Sequence, residues 1–84
     1  MLVERDKVLA VIIKNLKQNV DGLESTDIDS KRSMIDYGAS SLDIVEIVSA
    51  SMRELRVKVP RTELANLKNM DELADLLLKK VQQA

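Results

Sequence analysis

The chain of 84 residues contains no cysteine, no histidine, no tryptophan and no phenylalanine. Without cysteine, neither a disulfide nor a thiolate metal site can form, and this absence is compatible with an intracellular protein. Without histidine, the chain lacks the commonest general base at neutral pH and the commonest metal ligand. The composition therefore argues against a self-contained enzyme and against a metal site.

The chain also lacks an excess of positive charge, since its net charge is −1. Its single aromatic residue is Tyr37. A nucleic-acid-binding module shows a basic face and usually stacking aromatics, so the composition argues against one. Charged side chains interrupt the apolar residues within positions 1–6, so we expect no signal peptide there, and no apolar run approaches the length of a membrane span. We expect a soluble, cytoplasmic monomer that forms a single domain over residues 1–84.

Hydrophobic periodicity predicts four helices and no strand. The four segments are residues 4–19, residues 41–56, residues 61–67 and a last helix that begins after Asn69. Pro60 stands just before the third helix, where its fixed φ is favourable, and Glu72 follows Asn69 at capping-box spacing. The predicted fold class is all-α: a small four-helix bundle with a long loop between helices 1 and 2 and a short third helix.

The predicted loop over residues 21–40 is long for a compact domain, and loops of this length are often functional. Gly22 is a candidate left-handed cap for the first helix, and residues 33–36 are predicted to form one helical turn. Four apolar loop residues are expected to pack on the core: Leu23, Ile28, Met34 and Ile35.

Two serines stand at the start of the second predicted helix. Ser40 is the expected N-cap, because Asp43 follows at capping-box spacing. Ser41 then lies one position inside the helix, where serine contributes little to stability and its hydroxyl faces outward. The positive helix end nearby would favour a phosphate ester. A serine in this position is nevertheless more often a cap or a surface hydroxyl, and both interpretations stay open on these residues alone.

The second helix is apolar on two sides. At about 100° per residue, one stripe contains Ile44, Ile47, Val48, Ser51 and Leu55. A second contains Leu42, Val45, Ser49 and Met52, beside Glu46 and Arg53. One stripe is enough for packing, so the second is either buried in the small bundle or forms an exposed docking face.

Charges are segregated along the chain. The acidic residues of the middle are Asp21, Glu24, Asp27, Asp29, Asp36, Asp43 and Glu46, and the basic ones that follow are Arg53, Arg56, Lys58 and Arg61. Most such charges are simply solvated surface. An acidic centre of this kind would also attract basic partner surfaces.

The serine region resembles the attachment signature of acyl carrier proteins, Gly-x-Asp-Ser-Leu. The matching residues are Gly38-Ala39-Ser40-Ser41-Leu42-Asp43, with Ser40 where most members have aspartate. The order of helices over nearly the whole chain and the segment Val57-Lys58-Val59-Pro60 also match the family plan. The resemblance implies a non-catalytic carrier that holds an acyl group as a thioester and presents it to partner enzymes. Met1 favours a discrete protein.

Carried over by position, the resemblance implies that Ser41 takes 4′-phosphopantetheine from coenzyme A, with the help of a phosphopantetheinyl transferase. Other partners implied are an acyltransferase, a ketosynthase or a hydroxymethylglutaryl-synthase-like enzyme. The residues implied to face or frame these partners are Asp36, Gly38, Leu42, Asp43, Val45, Glu46 and Ser49.

Two departures separate the chain from fatty-acid carriers: Ser40 replaces the aspartate, and Ser49, Ser51, Arg53 and Arg56 stand on a helix that is usually acidic. Residues 59–73 look more like discrete carriers of polyketide pathways. They resemble in particular donors that supply an acetyl unit to a hydroxymethylglutaryl-synthase-like enzyme for β-branching. A seam between helices 2, 3 and 4, lined by Ile44, Val48, Leu64 and Leu73, would shelter a short acyl chain or be ordinary core packing.

Two other functions compete with this interpretation. A helical adaptor would bind a protein through helix 2 without a prosthetic group, and replacement of Ser41 would then leave its function intact. A serine hydrolase would need a lysine as the base for Ser41, and none lies near it in sequence. The cargo is not determined by these residues, because acetyl, malonyl, longer acyl, aminoacyl and D-alanyl carriers share the plan.

Overall fold

The computed structural model describes residues 4–65 and 67–83. They form helices α1 (Arg5–Asn19), α2 (Ser41–Leu55), α3 (Arg61–Leu64) and α4 (Met70–Gln83), with a 3-10 turn at Ile35–Tyr37. No strand occurs among these residues, and the predicted all-α bundle is confirmed. Two earlier predictions include residues outside the described ranges. These are residues 1–3, part of the segment 1–6 in which we expected no signal peptide, and Asn66 of the predicted third helix.

Helix α1 is the centre of the bundle, because it packs against both α2 and α4. Its apolar stripe repeats at i, i+4 and i+8, so Val8, Ile12 and Leu16 all point inward and are fully buried. Ile47 of α2 and Leu77 of α4 are also fully buried in this core. The periodicity that predicted these helices is therefore also the spacing of their buried residues.

A polar contact lies within the α1–α2 interface. The Asn15 amide donates to the Val11 carbonyl (2.9 Å), to the Ser51 hydroxyl (3.4 Å) and to Glu54 Oε1 (3.3 Å). Ser51 donates in turn to the Ile47 carbonyl at 2.8 Å. Asn15 and Ser51 are both buried, and hydrogen bonding offsets the cost of removing them from water.

The end of α1 differs in detail from the prediction. Gly22 does have a left-handed backbone, with φ 88°. The residue that caps the helix is however Val20, which is extended and donates its N–H to the Leu16 carbonyl at 3.0 Å. Gly22 therefore turns the chain three residues after Asn19, the last residue of the helix.

Helix α3 is shorter than predicted, since it ends at Leu64 rather than at residue 67. Pro60 precedes it as expected, and its extended backbone starts the turn. At the other side, Asn69 accepts the Glu72 N–H at 2.8 Å, so the predicted cap of α4 is confirmed.

The long loop is held against the start of α4. Met70 N–H donates to the Arg32 carbonyl (3.3 Å) and Asp71 N–H donates to the Ser30 carbonyl (2.9 Å). The Tyr37 hydroxyl accepts the Asp29 N–H at 2.7 Å, which closes the loop on itself. These bonds fix the path of the chain toward α2.

Three of the four apolar loop residues that we expected on the core pack there: Leu23, Ile28 and Met34. Ile35 does not, because it is 66% exposed and this expectation was wrong. It begins the 3-10 turn, which directs its side chain to the rim of a surface cavity instead of the core.

Candidate functional site

A tight reversal delivers the chain to the start of α2. Gly38 has φ 93°, a left-handed conformation that glycine adopts without the clash of a Cβ atom. Its N–H donates to the Ile35 carbonyl at 2.9 Å, and Ala39 N–H donates to the Met34 carbonyl at 3.1 Å. Ala39 is buried, so this part of the loop is anchored immediately before the two serines.

Ser40 and Asp43 form the predicted capping box. The Ser40 hydroxyl accepts the Asp43 N–H at 3.1 Å, and the Asp43 carboxylate accepts the Ser40 N–H at 2.9 Å. Each side chain thus satisfies a backbone donor that would otherwise lack a helical partner. The structure confirms Ser40 as the N-cap and leaves the Ser41 hydroxyl outside the capping arrangement.

Ser41 is the first residue of the fifteen-residue helix α2 and is exposed. The amides of the first turn point toward its side of the helix end, where the macrodipole is positive. A phosphodiester on this hydroxyl would be stabilised by that field and would meet no burial cost. The residues present therefore fit a covalently attached phosphate group.

The residues predicted to face partners lie in three settings. Leu42 and Val45 are 82% and 57% exposed, which makes them prominent apolar side chains on the surface of α2. Glu46 is exposed beside them. Ser49 is half-buried one turn further along. The second stripe of α2 is thus partly a free apolar face, whereas the first stripe contains the buried Ile47, Val48 and Ser51.

Two of the predicted partner-facing acids also have local structural roles. Asp43 belongs to the capping box. Asp36 accepts the Ser33 N–H (3.2 Å) through its carboxylate, while its own N–H donates to the Ser33 hydroxyl (3.2 Å). The spacing Ser33-x-x-Asp36 is the signal that could have predicted this second reciprocal pair.

A cavity of about 680 Å³ opens beside Ser49. All four residues of the predicted seam line it, namely Ile44, Val48, Leu64 and Leu73. The loop residues Met34 and Ile35 and the cations Arg61 and Lys68 line it as well. Their contribution was not predicted, because the loop's path over the helices is a tertiary feature without a local pattern.

The anchor of the loop on α4 includes charged groups. A hydrogen bond from Ser30, together with the Arg5 guanidinium at 2.9 Å, lowers the pKa of the Asp71 carboxyl below its ordinary value. Arg5 also contacts Asp75 at 2.7 Å, and these two carboxylates raise the pKa of its guanidinium. The loop that precedes Ser41 is thereby tied to α4 through Asp71, which Arg5 joins to α1.

Within residues 4–65 and 67–83, no helix is long and apolar enough to cross a membrane. The same residues contain no group of three or more acidic side chains placed to hold a metal ion.

The sequence of this chain matches a known protein family. Residues 7–77 match the family described as "Phosphopantetheine attachment site". The polyketide biosynthesis acyl-carrier protein AcpK of Bacillus subtilis is 32% identical over 96% of this chain and 99% of its own length. An acyl carrier protein of Bdellovibrio bacteriovorus is 35% identical over 88% of this chain and 90% of its own length.

Among solved structures, a chain from the crystal structure of the curacin biosynthetic pathway HMG synthase in complex with acetyl donor-ACP is similar to this one. It is 33% identical with a TM-score of 0.85, and the match covers 93% of this chain and 100% of that chain. The family match spans most of the sequence, and two of its relatives align almost end to end. The chain belongs to the acyl carrier proteins, the phosphopantetheine-attachment family whose members hold acyl groups as thioesters on that arm.

Proposed function

We propose that Ser41 is the residue that bears the 4′-phosphopantetheine arm. Its exposed hydroxyl stands at the first position of α2, and Ser40 has already taken the capping role. It also lies within the family-matched residues 7–77, in the segment that resembles the attachment signature. The single observation that carries the proposal is this exposed, non-capping hydroxyl at a positive helix end.

The arm supplies a thiol that this cysteine-free chain lacks, and the acyl group is held on that thiol as a thioester. The chain contributes the ester oxygen of Ser41, a rigid turn before it and a helix end that stabilises the phosphate charge. Tethering raises the local concentration of the acyl group at partner active sites. No group of the chain has to act on the acyl carbon, so the proposed role is non-catalytic.

We further propose that the cargo is acetyl and that the receiving enzyme is a hydroxymethylglutaryl-synthase-like enzyme of a polyketide pathway. The support is the likeness to the chain from the acetyl donor-ACP complex, together with the likeness to AcpK. The match uses 93% of this chain of 84 residues and covers the whole of the other chain. The matched chain therefore has the size of a carrier and not of a synthase.

Loading also needs a phosphopantetheinyl transferase, and an acyltransferase or ketosynthase would place the acetyl unit on the arm. Coenzyme A is the donor of the arm, so the proposal implies a cytoplasmic location.

The first test is intact mass spectrometry after incubation with coenzyme A, magnesium and a promiscuous phosphopantetheinyl transferase. We expect one phosphopantetheinyl group on the wild type and none on Ser41→Ala. Ser40→Ala is the matched control: it removes the neighbouring hydroxyl and about 1 kcal/mol of capping stability but should still be modified. A folded Ser41→Ala protein that still gains the group would disprove the assignment.

The same experiment separates the carrier from the helical adaptor that the sequence left open. An unmodified wild type, in a reaction where a known carrier is modified, would favour an adaptor that docks through α2.

For the acetyl assignment, the acetyl-loaded protein should transfer its acetyl group to the curacin-pathway HMG synthase. The malonyl-loaded protein should not, and equal transfer of both would contradict the assignment.

A further inference from the structure

A groove separate from the large cavity lies at the end of α2 that is far from Ser41. It has a volume of about 460 Å³, and its lining includes the apolar Met52 and Val57 and three cations, Arg53, Arg56 and Lys58. We call these five residues the basic groove. All three cations are exposed, and Ser49 and Met52 line both this groove and the larger cavity beside it.

Arg56 adopts a backbone conformation that its side chain does not favour. It caps α2 with φ 57° and ψ 44°, and it is the only non-glycine residue with positive φ in residues 4–65 and 67–83. Its N–H donates to the Arg53 carbonyl, and the next residue, Val57, donates to Met52 at 3.0 Å. Glycine would make the same backbone bonds without the Cβ clash.

The helix dipole favours a cation near this end, but Arg53 already provides one in the last turn. The exposed side chain of Arg56 thus stands at a backbone position that favours glycine, and the helix end already has a cation in Arg53. Strained residues of this kind are more frequent where a side chain has a function.

The surface around α2 thus has opposite charge at the two ends of the helix. Asp36, Asp43 and Glu46 surround its beginning, and the cations of the basic groove surround its end. Asp43 and Arg53 are ten residues apart, which is about 15 Å along a helix. The exposed Leu42 and Val45 lie in the first half. Glu46 and Arg53 contact each other at 3.4 Å, but both are largely exposed, and such a pair is weak enough for a partner to replace.

We propose that the acyl-accepting synthase docks along the whole of α2 and places carboxylates and one apolar side chain on the basic groove. A cationic patch of the same enzyme faces the acidic beginning of the helix, near Ser41. Opposite charges at the two ends permit only one docking direction and disfavour enzymes whose docking surface is cationic throughout. This inference rests on the proposed function and adds to it the surface chemistry of the partner.

The test compares Arg53→Glu/Arg56→Glu with Lys7→Glu/Lys79→Glu, which makes the same change in net charge. The control residues are exposed on α1 and α4 and line neither groove nor cavity. The probe is the curacin-pathway HMG synthase, and the readout is kcat/KM for acetyl transfer at two salt concentrations. We expect a loss of about tenfold or more, mainly through KM, for the α2 variant and a change of less than about twofold for the control. The α2 variant should also depend less on salt than the wild type, because only the ionic contact at the beginning of α2 remains attractive.

Arg56→Gly separates a docking role from a structural one. It relieves the left-handed strain, so resistance to urea should increase, while kcat/KM should fall about threefold or more because a docking cation is lost. Increased resistance with unchanged transfer would show that Arg56 has no docking role. Equal losses for the two charge-reversed variants would likewise overturn the proposal.

Failure of this inference is distinguishable from failure of the proposed function. All variants keep Ser41 and should gain the phosphopantetheinyl group as the wild type does. If the wild type does not gain it, the attachment proposal fails. If the wild type is loaded with acetyl but transfers none to the synthase, the partner inference is wrong and the carrier function remains.

Discussion

Three residues have a left-handed backbone in the described part of the chain, and they respond differently to substitution. Two are glycines, Gly22 and Gly38, and the third is Arg56. A Cβ atom added at Gly38 would lie 3.7 Å from Val20, which is ordinary contact, so the cost of a side chain there is only the backbone conformation.

Gly38→Ala should therefore lower the free energy of unfolding by about 1–2 kcal/mol, which urea denaturation would measure. Gly22→Ala is the matched control, because its Cβ would meet open space and its φ is nearly the same. We expect a similar loss for both. A much larger loss at Gly38 would mean that the turn before Ser40 cannot relax.

The buried pair of Asn15 and Ser51 gives a second prediction for single residues. Ser51→Ala removes a hydroxyl that accepts a hydrogen bond from Asn15. Asn15 still donates to the Val11 carbonyl and to Glu54 after this change. The loss should be about 1 kcal/mol or less. Asn15→Ala removes more buried contacts and should cost more. Thermal unfolding of the two variants provides the comparison, and the reverse order would contradict the hydrogen-bond assignment.

At the scale of helices, the charged contacts of Arg5 join α1 to the beginning of α4. The pKa of Asp71 is lowered by Ser30 and Arg5, so its carboxylate stabilises the fold at neutral pH. This stabilisation is fully present above the ordinary aspartate pKa and is lost as the pH falls below about 4, through the lowered pKa of the folded state.

Asp71→Asn should thus destabilise the protein at pH 7 and converge with the wild type as the pH falls through the lowered pKa of Asp71 in the folded state. Asp75→Asn is the control, because it contacts the same arginine but is 64% exposed and should have a smaller effect. Chemical denaturation over this pH range measures both. A constant difference between Asp71→Asn and wild type at all pH values would exclude the titration as the cause.

Local patterns predicted most of the helices. Periodicity determined α1, α2 and α4, since their buried faces repeat every three or four residues, and the Ser40–Asp43 box is a contact three residues apart. Features that depend on distant residues were not predictable, such as the contact of Asn15 with Ser51. The left-handed Arg56 was missed because no glycine marks the end of α2.

At the scale of the whole molecule, the apolar side chains belong to two regions with different packing. Leu77 is fully buried in the core, whereas Leu64 is half-buried at the wall of the large cavity. A domain of 84 residues has a total stability of about 4–13 kcal/mol, so a single core position is a large fraction of it.

Leu77→Ala should cost about 2–5 kcal/mol and Leu64→Ala about 1 kcal/mol or less, because only the first leaves a closed void. Urea midpoints of the two variants measure this difference. If the cavity also serves the acetyl group, Leu64→Ala would slow acetyl transfer. We expect no such change, since an acetyl group is small enough to remain outside the cavity. Comparable destabilisation by both substitutions would mean that the cavity wall is part of the core.

Tyr37 is the only aromatic residue of the chain, and its hydroxyl accepts a hydrogen bond from Asp29 within the loop that leads to Ser41. Near-ultraviolet absorbance and intrinsic fluorescence of this protein therefore originate from one place, the loop over residues 21–40. Far-ultraviolet circular dichroism originates from the helices. If both signals are recorded during denaturation, the first monitors unfolding of the loop and the second monitors unfolding of the helices. No label has to be introduced.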